Sequence, residues 1–148
     1  MNKKVLIMLF FLSGLTAMGQ SRFKIEVSVP EMKDASTGGP VWFTLIGEKG
    51  QEDFKIDNPN QDDFQSGTKS VFFTPKFNIG KKITDIRIET RSRKKGKYID
   101  DLYISKIRIT NIGTGQSTGN ISINSWIGDG ASGKEDKHVK SVEIKKWN

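Results

Sequence analysis

Residues 81 to 117 read KKITDIRIETRSRKKGKYIDDLYISKIRITNIGTGQS, and this stretch decides the fold. Ile83, Ile86 and Ile88 mark a first apolar run; Leu102, Ile104, Ile107 and Ile109 mark a second. Enrichment in β-branched residues makes both runs strands rather than helices. Between them Arg91, Arg93, Lys94, Lys95 and Lys97 crowd together, broken only by Gly96. The reading is a rigid sheet with a cationic loop hung off its end, the layout of a binding module. Ile104 and Ile107 differ in parity, so either a bulge shifts the phase or both faces are covered.

Working outward, the same alternation recurs. Phe23, Ile25, Val27 and Val29 share one face of a strand that Pro30 ends. The run Val41 to Ile46 (VWFTLI) is nearly all apolar and reads as a central strand, with Trp42 in the core. Glu52 to Ile56 makes a hairpin with it across Gly47-Glu48-Lys49-Gly50. Asp57 to Asp63 (DNPNQDD) is an oxygen-rich loop, and Phe64, alone among polar residues, is expected to plug the core. Strands are also expected at Lys69 to Thr74, Ile121 to Trp126 and Val139 to Trp147, with Trp147 as a mobile end. About eight short strands, with turn signals between them and no sustained helical period, predict an all-β antiparallel sandwich of two sheets.

The first residues are expected to stand outside that fold. Asn2-Lys3-Lys4, the apolar run Val5 to Leu12 and Ala17-Met18-Gly19 have the pattern of a secretory signal peptide over residues 1–19. One domain over residues 20–148 follows, exported to a periplasmic or extracellular location, with no transmembrane segment in the mature chain. The chain carries 24 basic and 17 acidic side chains, net +7, and stays basic once Lys3 and Lys4 leave. A basic exported domain meets anionic lipid or acidic polysaccharide more often than nucleic acid. With no cysteine, disulfides and thiol chemistry are excluded.

In order along the chain, VWFTLIGEKG, DDFQSGTKSVFF, IGKKITDIRIE, LYISKIRITNIGTGQS and ISINSWIGDG resemble the PLAT (LH2) domains of lipoxygenases, animal lipases, polycystins and clostridial alpha-toxin. The resemblance implies an eight-stranded sandwich with a non-catalytic role: docking to membranes, often with Ca²⁺ in the end loops, or docking to a protein. Two departures bear on the metal. Where the family's first loop commonly has Gly-Thr-Asp-Ala-Asn, this chain has Ser36-Thr37-Gly38-Gly39-Pro40. Where it often has His-Asp after its strand, this chain has Thr90-Arg91, and a cation there repels a divalent ion.

The expected function is therefore docking to an anionic membrane lipid or acidic surface through Arg91, Arg93, Lys94, Lys95 and Lys97. Trp126 is a candidate aromatic contact. The alternative is a protein-docking module; a carbohydrate-binding sandwich, which would need exposed Trp126 and Tyr103, and a small hydrolase rank lower. No cofactor and no metal are expected. For calcium the weak candidates are Glu31, Asp34, Asp57 and Asp62, because a hard cation takes six to eight oxygens. No enzyme is expected either: His138 is the single histidine, and no nucleophile-base pair accompanies it.

Overall fold

A computed structural model describes residues 19–91, 93–94, 97–98, 101–128 and 139–148, with the side chains of residues 93, 94, 97, 98 and 139 left aside. The expected leader lies almost wholly outside the described residues, as do Lys95, Asp100, Asp129 and His138. Among the described residues there is no helix; the strands are β1 (Phe23–Ser28), β2 (Val41–Gly47), β3 (Gly50–Ile56), β4 (Lys69–Phe73), β5 (Ile83–Thr90), β6 (Arg93–Lys94), β7 (Lys97–Tyr98), β8 (Leu102–Asn111), β9 (Ile121–Ile127) and β10 (Val139–Glu143). Eight of them form two four-stranded sheets, ordered β4-β1-β8-β9 and β10-β5-β2-β3, and β6 pairs with β7 as a separate ribbon. Every pairing is antiparallel. The expected antiparallel sandwich of eight strands is the fold.

Alternation along each strand builds the core. Phe23, Ile25 and Val27 of β1 meet Phe72 of β4 and Ile107 and Ile109 of β8 on one inner face. Val41, Phe43 and Leu45 of β2 pair with Thr90, Ile88 and Ile86 of β5 on the other. Phe64 is buried and stacks on Phe72 with ring centroids 5.3 Å apart. It reaches that position from a left-handed backbone with φ of 60°, a costly conformation for a bulky residue. Burial of the ring against the core offsets that cost.

Three expectations change. First, β5 and β8 do not flank a loop within one sheet: β5 belongs to one layer and β8 to the other. Local pattern marks both as strands but says nothing about which layer each joins. Second, Trp42 is not in the core. It alternates with the buried Val41 and Phe43 and so points outward, half-covered. Third, Trp147 is anchored. Its indole Nε1 donates to the Ile83 carbonyl at 2.8 Å, and its ring packs on the core. The parity problem in β8 resolves as a bulge. The β8–β9 register shifts between Ile104 and Lys106, so Ile104 and Ile107 are both fully buried.

Candidate functional site

Strand direction assigns the loops to the ends of the sandwich. β1, β3, β5 and β9 run toward one end, and β2, β4, β8 and β10 start from it. The ends of β1, β3, β5 and β9 therefore share that end, the tip, with the starts of β2, β4, β8 and β10, and in each case the following strand of the sandwich belongs to the other sheet. Backbone bonds tie them together: Arg91 N donates to the Pro40 carbonyl at 3.1 Å, and Tyr103 N to the Ala35 carbonyl at 3.0 Å. The segment that begins at Arg91, the loop before β2 and the Asp57 to Asp63 loop thus form one composite tip.

Arg91 stands at the root of the β6–β7 ribbon, and its charge is used within the protein. Its Nε donates to Glu89 Oε2 at 2.6 Å, and its Nη2 donates to Asp53 Oδ2 at 2.9 Å and also contacts Glu89. The guanidinium carbon lies 4.3 Å from the centroid of the Trp42 ring, a cation–π distance. Partial burial works against the charged guanidinium. The Glu89 and Asp53 carboxylates outweigh it and hold the pKa above the usual arginine value. Arg91 therefore clamps the outer face of the β10-β5-β2-β3 sheet below the ribbon and is not a free contact. Glu89 and Arg91 lie two residues apart, so their same-face placement was readable; Asp53 comes from another strand and was not.

The ribbon itself carries Arg93, Lys94 and Lys97. Its register sets Arg93 across from Tyr98 and Lys94 across from Lys97. Like charges directly opposite in an antiparallel pair oppose folding. Lys95 lies outside the described residues.

The acidic candidates occupy the neighbouring loops. Asp57 is bonded to Lys55 Nζ at 2.6 Å. Asp63 accepts from Asn58 N at 2.7 Å and Asn58 Nδ2 at 2.8 Å. Asp57, Asp62 and Asp63 line a cleft of about 340 Å³ with Thr37, Gly38 and Pro40. Glu31 and Asp34 are exposed in the loop after β1. Among the described residues no three carboxylate or imidazole side chains are grouped closely enough to hold one metal ion. A hard divalent ion needs six to eight oxygens; among the described residues Asp57 and Asp63 are already engaged, by Lys55 and Asn58.

Trp126 sits on β9 directly across from Tyr103 on β8. Their flanking neighbours Leu102 and Ile127 are fully buried, so the two aromatics share the outer face of the β4-β1-β8-β9 sheet. Their rings meet edge to face, 5.3 Å between centroids and 78° between planes. Both are half-exposed. The same outer face carries Lys106 and Arg108, to which the sequence reading assigned no role. Their alternation with Ile107 and Ile109 was the signal that could have placed them.

Comparison with known proteins gives the architecture its relatives. A LOX enzyme in complex with arachidonate superposes with a TM-score of 0.66 at 15% identity, over 85% of this chain and 17% of that one. A coral 8R-lipoxygenase superposes at 0.60 and 21% identity, over 72% of this chain and 15% of that one. The alpha-toxin of Clostridium perfringens from an avian strain superposes at 0.62 and 19% identity, over 87% and 32%. At these identities the likeness is one of fold, and the chain spans a third or less of each. Comparison with curated proteins gives no match. The PLAT/LH2 domain model matches residues 23–139, and with most of the chain inside that match the protein belongs to the PLAT/LH2 domain family.

Proposed function

We propose that this protein is an exported, non-catalytic binding module that docks its tip on an anionic membrane lipid through the β6–β7 ribbon. The observation that carries the reading is the ribbon's register. Lys94 opposite Lys97, beside Arg93 and Lys95 in sequence, concentrates positive charge at one tip without a facing carboxylate in the pairing. A phosphate-bearing headgroup would relieve that repulsion. The clamp at Arg91 sets the root of the ribbon, so the charge is presented from a braced base. Among the relatives, the coral 8R-lipoxygenase is described as activated by calcium via a C2-like domain. In this chain the lysines and arginines of the ribbon take the role of bridging to anionic groups.

Each cation near an anionic surface contributes about 1 kcal/mol. Reversal of three (Arg93→Glu, Lys94→Glu and Lys97→Glu together) should lower partitioning onto phosphatidylserine vesicles by on the order of 100-fold or more. Flotation with phosphatidylserine against phosphatidylcholine vesicles reads this directly. Equal flotation with both lipids, or a triple variant that floats like the parent, would refute lipid docking. Capture of a protein partner that survives high salt would then favour the protein-docking alternative.

A further inference from the structure

A second charged surface lies away from the ribbon, on the outer face of the β4-β1-β8-β9 sheet. Lys24 and Glu26 of β1, Lys69 of β4 and Lys106 and Arg108 of β8 all project from it. Glu26 is the one acidic group among these five, and it is shared: Lys69 approaches it at 2.5 Å and Lys24 at 3.3 Å. Lys106 and Arg108 are exposed, and the contact resolved for Arg108 is a neutral one, Nη2 to Ser117 Oγ at 3.3 Å. Register puts Lys69 and Lys106 on either side of Ser28, which at the strand spacing is roughly 10 Å apart. Lys106 and Arg108 follow one another along β8 at roughly 7 Å. A groove of about 460 Å³ is lined by Lys69, Lys106 and Arg108 together with Ser28, Thr68 and Asn120. Further toward the tip, past Ser105 and the exposed Asn124, the same face holds the half-exposed Tyr103–Trp126 pair.

We propose that this sheet face binds an acidic polysaccharide. Three properties select that ligand. The face has a net positive charge spread over fixed intervals, which suits a polymer with one carboxylate per repeat rather than a single compact anion. Hydroxyl and amide groups lie between the cations, where they can bond sugar hydroxyls. The aromatic pair offers an apolar edge for a pyranose ring to lie against, with polar tips on both rings. A flat bilayer would meet the tip first and would leave this face, on the side of the sandwich, unused. The proposal concerns a different surface and ligand from the tip reading and stands or falls apart from it.

The test is binding of the purified chain to polygalacturonate, with neutral dextran as the control, by calorimetry and by Trp fluorescence. Binding to polygalacturonate and not to dextran is expected. The double variant Lys106→Glu/Arg108→Glu should bind at least ~10-fold more weakly, the loss expected for one charged hydrogen bond or more. Trp126→Ala should weaken binding about fivefold, and Trp126→Phe should restore most of it. The milder pair Lys106→Gln/Arg108→Gln, checked for unchanged thermal unfolding, guards against a folding defect. The ribbon variant Arg93→Glu/Lys94→Glu/Lys97→Glu should keep its polygalacturonate affinity. Loss of binding in that variant with no loss in the sheet-face variants would overturn the proposal, as would equal binding to dextran. So would sheet-face variants that lose vesicle flotation while binding polygalacturonate like the parent, because the face would then belong to a lipid surface.

Discussion

Glu26 illustrates how a single residue reports its surroundings. Its side chain is only 10% exposed and holds two lysines. The hydrogen bond from Lys69 is the largest influence and lowers its pKa; burial opposes that shift, and Lys24 adds to the lowering. A carboxylate whose folded pKa lies below its unfolded value stabilises the fold above the unfolded value, and that stability is lost as pH falls through the folded one. Glu26→Gln should therefore cost on the order of 1 kcal/mol at neutral pH, limited because both lysines are solvent-screened. The difference from the parent should shrink as pH falls below about 4.5. Urea titrations at pH 7 and pH 3.5 check this; a cost that does not change with pH would mean the ion pairs contribute nothing. The strand position of Glu26 was legible from alternation, but its near-burial was not. That depends on Lys69, which comes from another strand.

Among the elements, the β2–β3 hairpin and β8 show how backbone irregularities carry the fold. The β2–β5 register shifts between Ile46 and Gly47. There a Cβ on Gly47 would lie 2.1 Å from the Ile79 carbonyl oxygen, which already accepts from Lys49 N at 3.1 Å. That oxygen is backbone and cannot step aside cheaply. Gly47→Ala should cost about 2–3 kcal/mol, seen as a lower urea midpoint at unchanged m-value. Gly115→Ala is the comparison: φ of +74° strains it, but nothing lies within 4 Å, so it should cost only ~1 kcal/mol. The two costs coming out equal would remove the close approach as the reason for glycine at 47. In β8 the alternatives of a bulge and two covered faces could not be separated from sequence, because each leaves the same residue order. The backbone of β9 decided it, with Asn124 in the left-handed region at φ of 44°.

Over the whole molecule, residues after β10 act as a strap. Trp147 bonds Ile83, and Asn148 exchanges two backbone bonds with Ser117, at 3.0 and 2.8 Å. The strap thus joins the start of β5 in one sheet to the segment between β8 and β9 of the other. Trp147→Ala should destabilise the protein by about 2–3 kcal/mol through lost packing and an unpaired Ile83 carbonyl. Lys145→Ala, at an exposed site beside it, should change stability by less than ~0.5 kcal/mol. Equal midpoints for the two variants would show that the strap is idle.

The order of residues already contained the strands, their inward faces and the all-β class, because a two-residue repeat is a local property written along the chain. It also contained the concentration of positive charge between Arg91 and Lys97. Three-dimensional pairing alone assigned β5 and β8 to opposite layers and gathered the loops into one tip. It engaged Arg91 with Asp53, 38 residues away, and set Tyr103, Trp126, Lys106 and Arg108 on one face. Such placements depend on which strands become neighbours and in what register, and a local pattern holds no record of either.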